Sequence, residues 1–225
     1  MKTLLVWFLI AFCGLGAASQ TERYAKPFDE ARRDASFLAF RTKLVAAVAR
    51  RDARHVLSIV DRNILNSYGG RGGVEEFKKT WQIDNPQSAF WEEFATVIKN
   101  GGRFLSEGAA GAKTFWAPYL FTAFGADLDA FEHQAIFGRD VRLRARPSLD
   151  APVVAALAYN IVKTDFENSV KDSSREGEYL WYKIETLGGK KGFVKAEYVR
   201  SSVDYRAGFE KKNGRWKMTA FVAGD

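Results

Sequence analysis

Between Asp34 and Arg51 the apolar residues Phe37, Leu38, Leu44, Val45 and Val48 recur at helical spacing, with Arg41, Lys43, Arg50 and Arg51 placed among them. This pattern predicts a helix that Asp34 caps and that ends near Arg50. Asp52 reads as a second N-cap, and Val56, Ile59 and Val60 continue a helical period, so the two helices form a short hairpin. Ser67-Tyr68-Gly69-Gly70-Arg71-Gly72-Gly73 is a turn. Val74, Phe77 and Trp81 share one face of a third helix, from Val74 to Trp81. Pro86 and Ser88 open a fourth, from about Ala89 to Lys99, which Asn100-Gly101-Gly102 closes. Arg103-Phe104-Leu105 suits a short strand. Thr114 to Phe124 carries Phe115, Trp116, Tyr119, Phe121 and Phe124 and suits either a strand edged by Pro118 or a packed aromatic loop; periodicity does not decide between them.

From Gly138 the period changes to two. Strands are expected at Asp140–Ala145, Val153–Leu157, Tyr159–Asp165, Leu180–Thr186, Lys191–Lys195 and Tyr198–Arg200, with a polar turn at Asp172–Gly177. That is the rhythm of a small barrel. A last pair, Asp204–Glu210 and Trp216–Val222, flanks Lys211-Lys212-Asn213-Gly214-Arg215. Asn-Gly between two aromatic-bearing strands is a strong hairpin signal.

The alternating stretch Val141-Arg142-Leu143-Arg144-Ala145-Arg146-Pro147-Ser148 precedes Trp181-Tyr182-Lys183-Ile184, then Gly189-Lys190-Lys191-Gly192-Phe193-Val194, then Tyr198-Val199. That order resembles the bacterial SH3 (SH3b) family, whose pattern reads roughly V-N-V-R-x-x-P-S, W-x-K-V and G-x-x-G-W-V. The resemblance covers about Gly138 to Ser201, under a third of the chain. It implies a small barrel that binds rather than catalyses, with aromatic and polar residues between the long loops contacting the ligand. The residues it marks are Tyr159, Tyr179, Trp181, Tyr182 and Tyr198, with Arg142 and Arg144 nearby. Trp181 and Tyr182 must face opposite sides of their strand, one toward the core and the other outward. Arg142 stands where the pattern has Asn, adding charge, and Phe193 stands where it has Trp.

The fold class expected is therefore α+β: a mostly helical N-terminal region (34–135), an SH3-like small β-barrel (136–201) and a C-terminal β-hairpin (202–225). The hairpin has two possible places, extending the barrel or returning to the N-terminal region. The second arrangement bears a weak resemblance to the NTF2-like superfamily of α+β cones. It implies a small-ligand pocket or divergent enzyme lined by Phe77, Trp81, Trp116 and Tyr119.

The chain has 225 residues, 47% of them hydrophobic, with 18 Phe, 8 Tyr and 6 Trp, enough for a real core. Lys2, the apolar run Leu4 to Phe12 and the small residues Gly14 to Ser19 are the marks of a cleaved secretory signal peptide over residues 1–19. The run is too short for a comfortable membrane span. Phe12 before Cys13 argues against lipidation. Residues 20–33 are polar and read as a loose linker. Cys13 is the only cysteine, so the mature chain builds no disulfide and performs no thiol chemistry. The net charge of +7 suits anionic envelope material as well as simple solubility.

Candidate chemistry is sparse. The glycine loop 69–73 lacks the Gly-Lys-Ser/Thr ending of a phosphate loop and reads as a turn. His55 and His133 are far apart in sequence, with no second His or Cys at metal-ligand spacing. No Gly-x-Ser-x-Gly elbow occurs. Glu75-Glu76 and Glu92-Glu93 are adjacent on helices and point apart. The expectation is a non-catalytic protein, periplasmic or secreted, that holds a peptide, a peptidoglycan fragment or an envelope protein. It needs no cofactor or metal, has no nucleic-acid partner and is not integral to a membrane once the signal is removed.

Overall fold

A computed structural model describes residues 21–70, 72–107, 112–125 and 127–224. The expected signal peptide, with Cys13, lies outside the described residues. The chain runs α1 (Ala35–Ala49), α2 (Ala53–Ile59), β1 (Val60–Leu65), α3 (Val74–Trp81), α4 (Phe90–Lys99), β2 (Arg103–Glu107) and β3 (Ala112–Ala117). There follow a short α5 (Leu120–Ala123), β4 (His133–Ile136), β5 (Val141–Arg144), β6 (Val153–Leu157), β7 (Ile161–Lys171), β8 (Tyr179–Thr186) and β9 (Lys191–Lys195). The last elements are β10 (Val199–Arg200), β11 (Arg206–Lys212) and β12 (Arg215–Val222). The helix starts follow from capping: the Phe37 N–H donates to the Asp34 carboxylate at 3.0 Å and the His55 N–H to that of Asp52 at 2.9 Å.

The region expected to be mostly helical also contributes three strands, and the hairpin completes their sheet. The order is β1-β12-β11-β3-β2, with β1 parallel to β12 and the other neighbours antiparallel. Val60, expected to extend the second helix, is instead the first strand residue, opposite Met218. A β-branched residue gains from such pairing what it lacks in helix propensity. At the hairpin tip Asn213 and Gly214 both take positive φ, 49° and 74°, the conformation a two-residue type I′ turn demands. In β11, Gly208 lies under the Trp116 ring; a Cβ there would sit 3.1 Å from it. The concave side of the sheet meets α1–α4 in an aromatic core. The Phe37 ring lies 4.2 Å from Phe115 and 4.9 Å from Trp216, and Phe221 lies 5.0 Å from Trp81 and 5.2 Å from Phe94. Each such ring removes roughly 150–250 Å² from water.

Between β3 and β11 the chain leaves this sheet to form a second one, seven-stranded, in the order β10-β4-β7-β8-β9-β5-β6. Its core is Ile136, Val141, Leu143, Leu157, Val162, Ile184 and Val194. Alternation along β5 sends Val141 and Leu143 inward and Arg142 and Arg144 to the other face. Sequence patterning missed β4, whose four residues are too few to show a period.

Residues 21–33, read as a loose linker, are instead a strap along both units. Tyr24 bridges to Asn160 and Asp29 to Gly102. The Glu22 carboxylate accepts from Thr186 at 2.7 Å and from Asn160 at 3.1 Å, and Ala25 is fully buried. Polar residues chosen to hydrogen-bond a neighbouring backbone look, in sequence, like polar residues chosen for water. At the other end of the junction Arg206 is buried. Its guanidinium lies 4.7 Å from the Phe121 ring centre and donates at 2.7 Å to both the Tyr68 hydroxyl and the Gly224 carbonyl. Among the described residues, no helix is long and apolar enough to cross a membrane.

Candidate ligand groove

A groove of about 300 Å³ opens on the outer face of the second sheet, lined by Arg139 to Arg142, Arg144, Leu149, Trp181, Lys195, Glu197 and Tyr198. Four of the seven residues marked in sequence meet here: Arg142, Arg144, Trp181 and Tyr198. They come from β5, β8 and the turn before β10, adjacent because β5 and β8 both pair with β9. Trp181 is buried at the floor, while Tyr198 and Leu149 stand 41% and 66% exposed at the mouth. Arg144 is buried too, donating from Nη1 to the Ala151 carbonyl at 2.7 Å. Lys195 and Glu197 pair at 2.9 Å, and the hydrogen bond to Glu197 raises the Lys195 pKa.

Trp181, Lys195 and Glu197 also border a second, larger crevice of about 850 Å³ between the barrel and α4. Here lie Tyr179 and Tyr182, their rings 4.8 Å apart, facing Glu92, Glu93, Asp204 and Tyr205. Burial, followed by the fields of Asp204, Tyr179 and Glu178, pushes the Tyr182 phenol up to about 12. Trp181 and Tyr182 do face opposite sides, but neither stands free: Trp181 floors the groove, and Tyr182 packs against the edge of the barrel core. Tyr159 is separate from both. It lines a pocket with Tyr24, Lys26 and Pro27, where Arg139 donates to its hydroxyl at 3.3 Å. The family pattern marked residue types without their loops, so it grouped Tyr159 with the others. It also passed over Arg139, Leu149, Lys195 and Glu197, and Leu149 is a large apolar side chain left 66% exposed.

The residues of the cone reading do not share a cavity. Phe77 is fully buried against Phe90, and Trp81 packs on Phe90, Tyr205 and Phe221. Trp116 lies against Phe121, and Tyr119 stacks on Phe137. The hairpin does return to the N-terminal region, as that reading required, and its aromatic rings help fill the space a ligand would need. The glycine loop closes on itself: Gly73 N–H donates to the Ile64 carbonyl at 2.8 Å and its carbonyl accepts from Asn66 at 2.9 Å. Arg71 lies outside the described residues.

The seven-stranded sheet and its V-R-L-R strand form a small SH3-like barrel with an aromatic-lined groove. Residues 139–200 match the family model for the bacterial SH3 domain. No curated protein matches the chain.

Proposed function

We propose that this chain is a non-catalytic binding protein of the bacterial envelope, exported by a cleaved N-terminal signal, that holds a peptide or peptidoglycan fragment in the groove of its SH3 domain. The observation that carries this reading is the meeting of Arg142, Arg144, Trp181 and Tyr198 around one groove within the segment that matches the family model. Rigid aromatic side chains with polar tips suit ligand contact, and flanking guanidinium groups add directional donors. The N-terminal unit, packed solid with rings, serves as the support on which the barrel is held.

The test is retention of the chain beginning at Gln20 on purified peptidoglycan across a salt series, beside Tyr198→Ala and Trp181→Phe variants. Retention that survives moderate salt and falls in the variants supports the reading. Retention that vanishes with salt in every variant reflects net charge alone and overturns it. So does no retention with purified wall or its peptides.

A further inference from the structure

We infer that the groove reads the free carboxylate of a short peptide, gripped by Arg142 beside Arg144, with the adjoining small apolar side chain held between Leu149, Trp181 and Tyr198. This rests on the reading of the groove as the ligand site and specifies what that site takes.

Arg142 and Arg144 are alternate residues of β5 and project from one face. Neither lies within ion-pairing distance of a carboxylate among the described residues, whereas Arg23, Arg41 and Arg200 each have one at 2.5–2.6 Å. Asp150 is near enough for its field to register Arg144, but its own hydrogen bond is with Ser148. Arg144 is 7% exposed, with one donor spent on the Ala151 carbonyl. A guanidinium so placed, which feels Asp150 at longer range and forms no ion pair with it, gains from an anion brought into contact. Arg142 is the exposed member of the pair. It offers an open planar fork that matches a carboxylate in two parallel hydrogen bonds.

The rest of the groove narrows the choice of anion. Of its other cations, Lys195 is neutralised by Glu197, and Arg139 leans on Tyr159. Asp140 lines the same groove and opposes a second negative charge, which favours a monoanion over phosphate. Leu149, Trp181 and Tyr198 offer apolar contact beside the anion, which a peptide C-terminus can use and an inorganic ion cannot. A space of about 300 Å³ holds one or two residues.

The experiment compares N-acetyl-Ala-Ala as the free acid with its C-terminal amide, by amide chemical-shift titration of the chain beginning at Gln20. The acid is expected to move resonances of residues 139–149 and 195–198 and to bind at least about tenfold more tightly than the amide. Arg142→Gln should remove that difference by weakening the acid alone, and Arg142→Lys should restore part of it. Equal binding of acid and amide, no shifts with either, or displacement of the acid by equimolar inorganic phosphate each overturns the inference. If Tyr198→Ala abolishes retention on peptidoglycan while Arg142→Gln leaves it intact, the carboxylate assignment fails and the groove reading stands.

Discussion

Arg200, at the end of β10, donates from Nη2 to a carboxylate oxygen of Glu93 on α4 at 2.5 Å, and the same nitrogen reaches the Tyr205 carbonyl at 3.1 Å. One guanidinium thus pins the barrel to the helix beneath it. The pair is mostly covered, with side-chain exposures of 11% and 28%. Removing one partner leaves the other charge poorly solvated, at a cost of about 1–3 kcal/mol. Arg200→Met and Glu93→Gln, singly and together, are expected to couple by about 1–2 kcal/mol in a denaturation cycle. Additive effects would mean that the barrel sits on α4 without this contact.

Phe221, fully buried on β12, touches Trp81, Phe90, Phe94 and Tyr205. Phe221→Ala is expected to cost about 3–5 kcal/mol through lost transfer energy and the cavity left behind. If the hairpin belongs to the N-terminal sheet, backbone amides of α4 and β1 should lose hydrogen-exchange protection in this variant before those of β7 and β8 do.

Asp29 ties the strap to α1. Burial pushes its carboxyl up, but the paired Arg41 guanidinium and the Ala31 N–H outweigh this and hold it below the usual carboxylate range. A depressed folded-state pKa stabilises above the unfolded value, near 3.9, and that contribution is lost as pH falls through the lower folded value. The carboxylate is 40% exposed, so solvent screening limits its worth to about 0.5–1 kcal/mol. Asp29→Asn should therefore lose about that much at pH 7, and the gap to the parent should close below about pH 4. Denaturant melts across this range give the answer.

Tyr182 carries the opposite sign. Its phenol is pushed up to about 12 by burial first and by Asp204 second. The neutral form is favoured in the folded chain, so its contribution is whole below about pH 10 and is lost as pH rises through 12. Burial raises Tyr119 and Tyr205 as well, so an ultraviolet titration of the folded chain should show a late tyrosinate component that Tyr182→Phe reduces by one residue without abolishing. A Tyr182 that ionises near 10 would mean the crevice is open to water.

The first four helices and the second sheet apart from β4 were legible because they rest on local signals, whereas the short α5 and β4 carry too few residues to show a period. Asp34 and Asp52 cap where they stand in sequence, and the period-two pattern around Arg142 survives into β5. What lay hidden was long-range. Val60 becomes a strand only because Met218 lies opposite it, and the polar segment 21–33 becomes a strap only because Asn160 and Gly102 accept it. The groove was half legible. Arg142, Arg144, Trp181 and Tyr198 converge, while Tyr179 and Tyr182 turn to the crevice and Tyr159 to a pocket of its own, a division made by loops with no sequence period.

The final hairpin sits in the middle of the first sheet, with β12 against β1 and β11 against β3. A ribosome that has made residues 21–203 has finished the barrel but left the earlier unit without its central strands. Its Phe37, Phe77 and Phe94 then wait for Phe209, Trp216 and Phe221. The earlier unit, although it comes first in the chain, thus cannot close its core before β11 and β12 have been made.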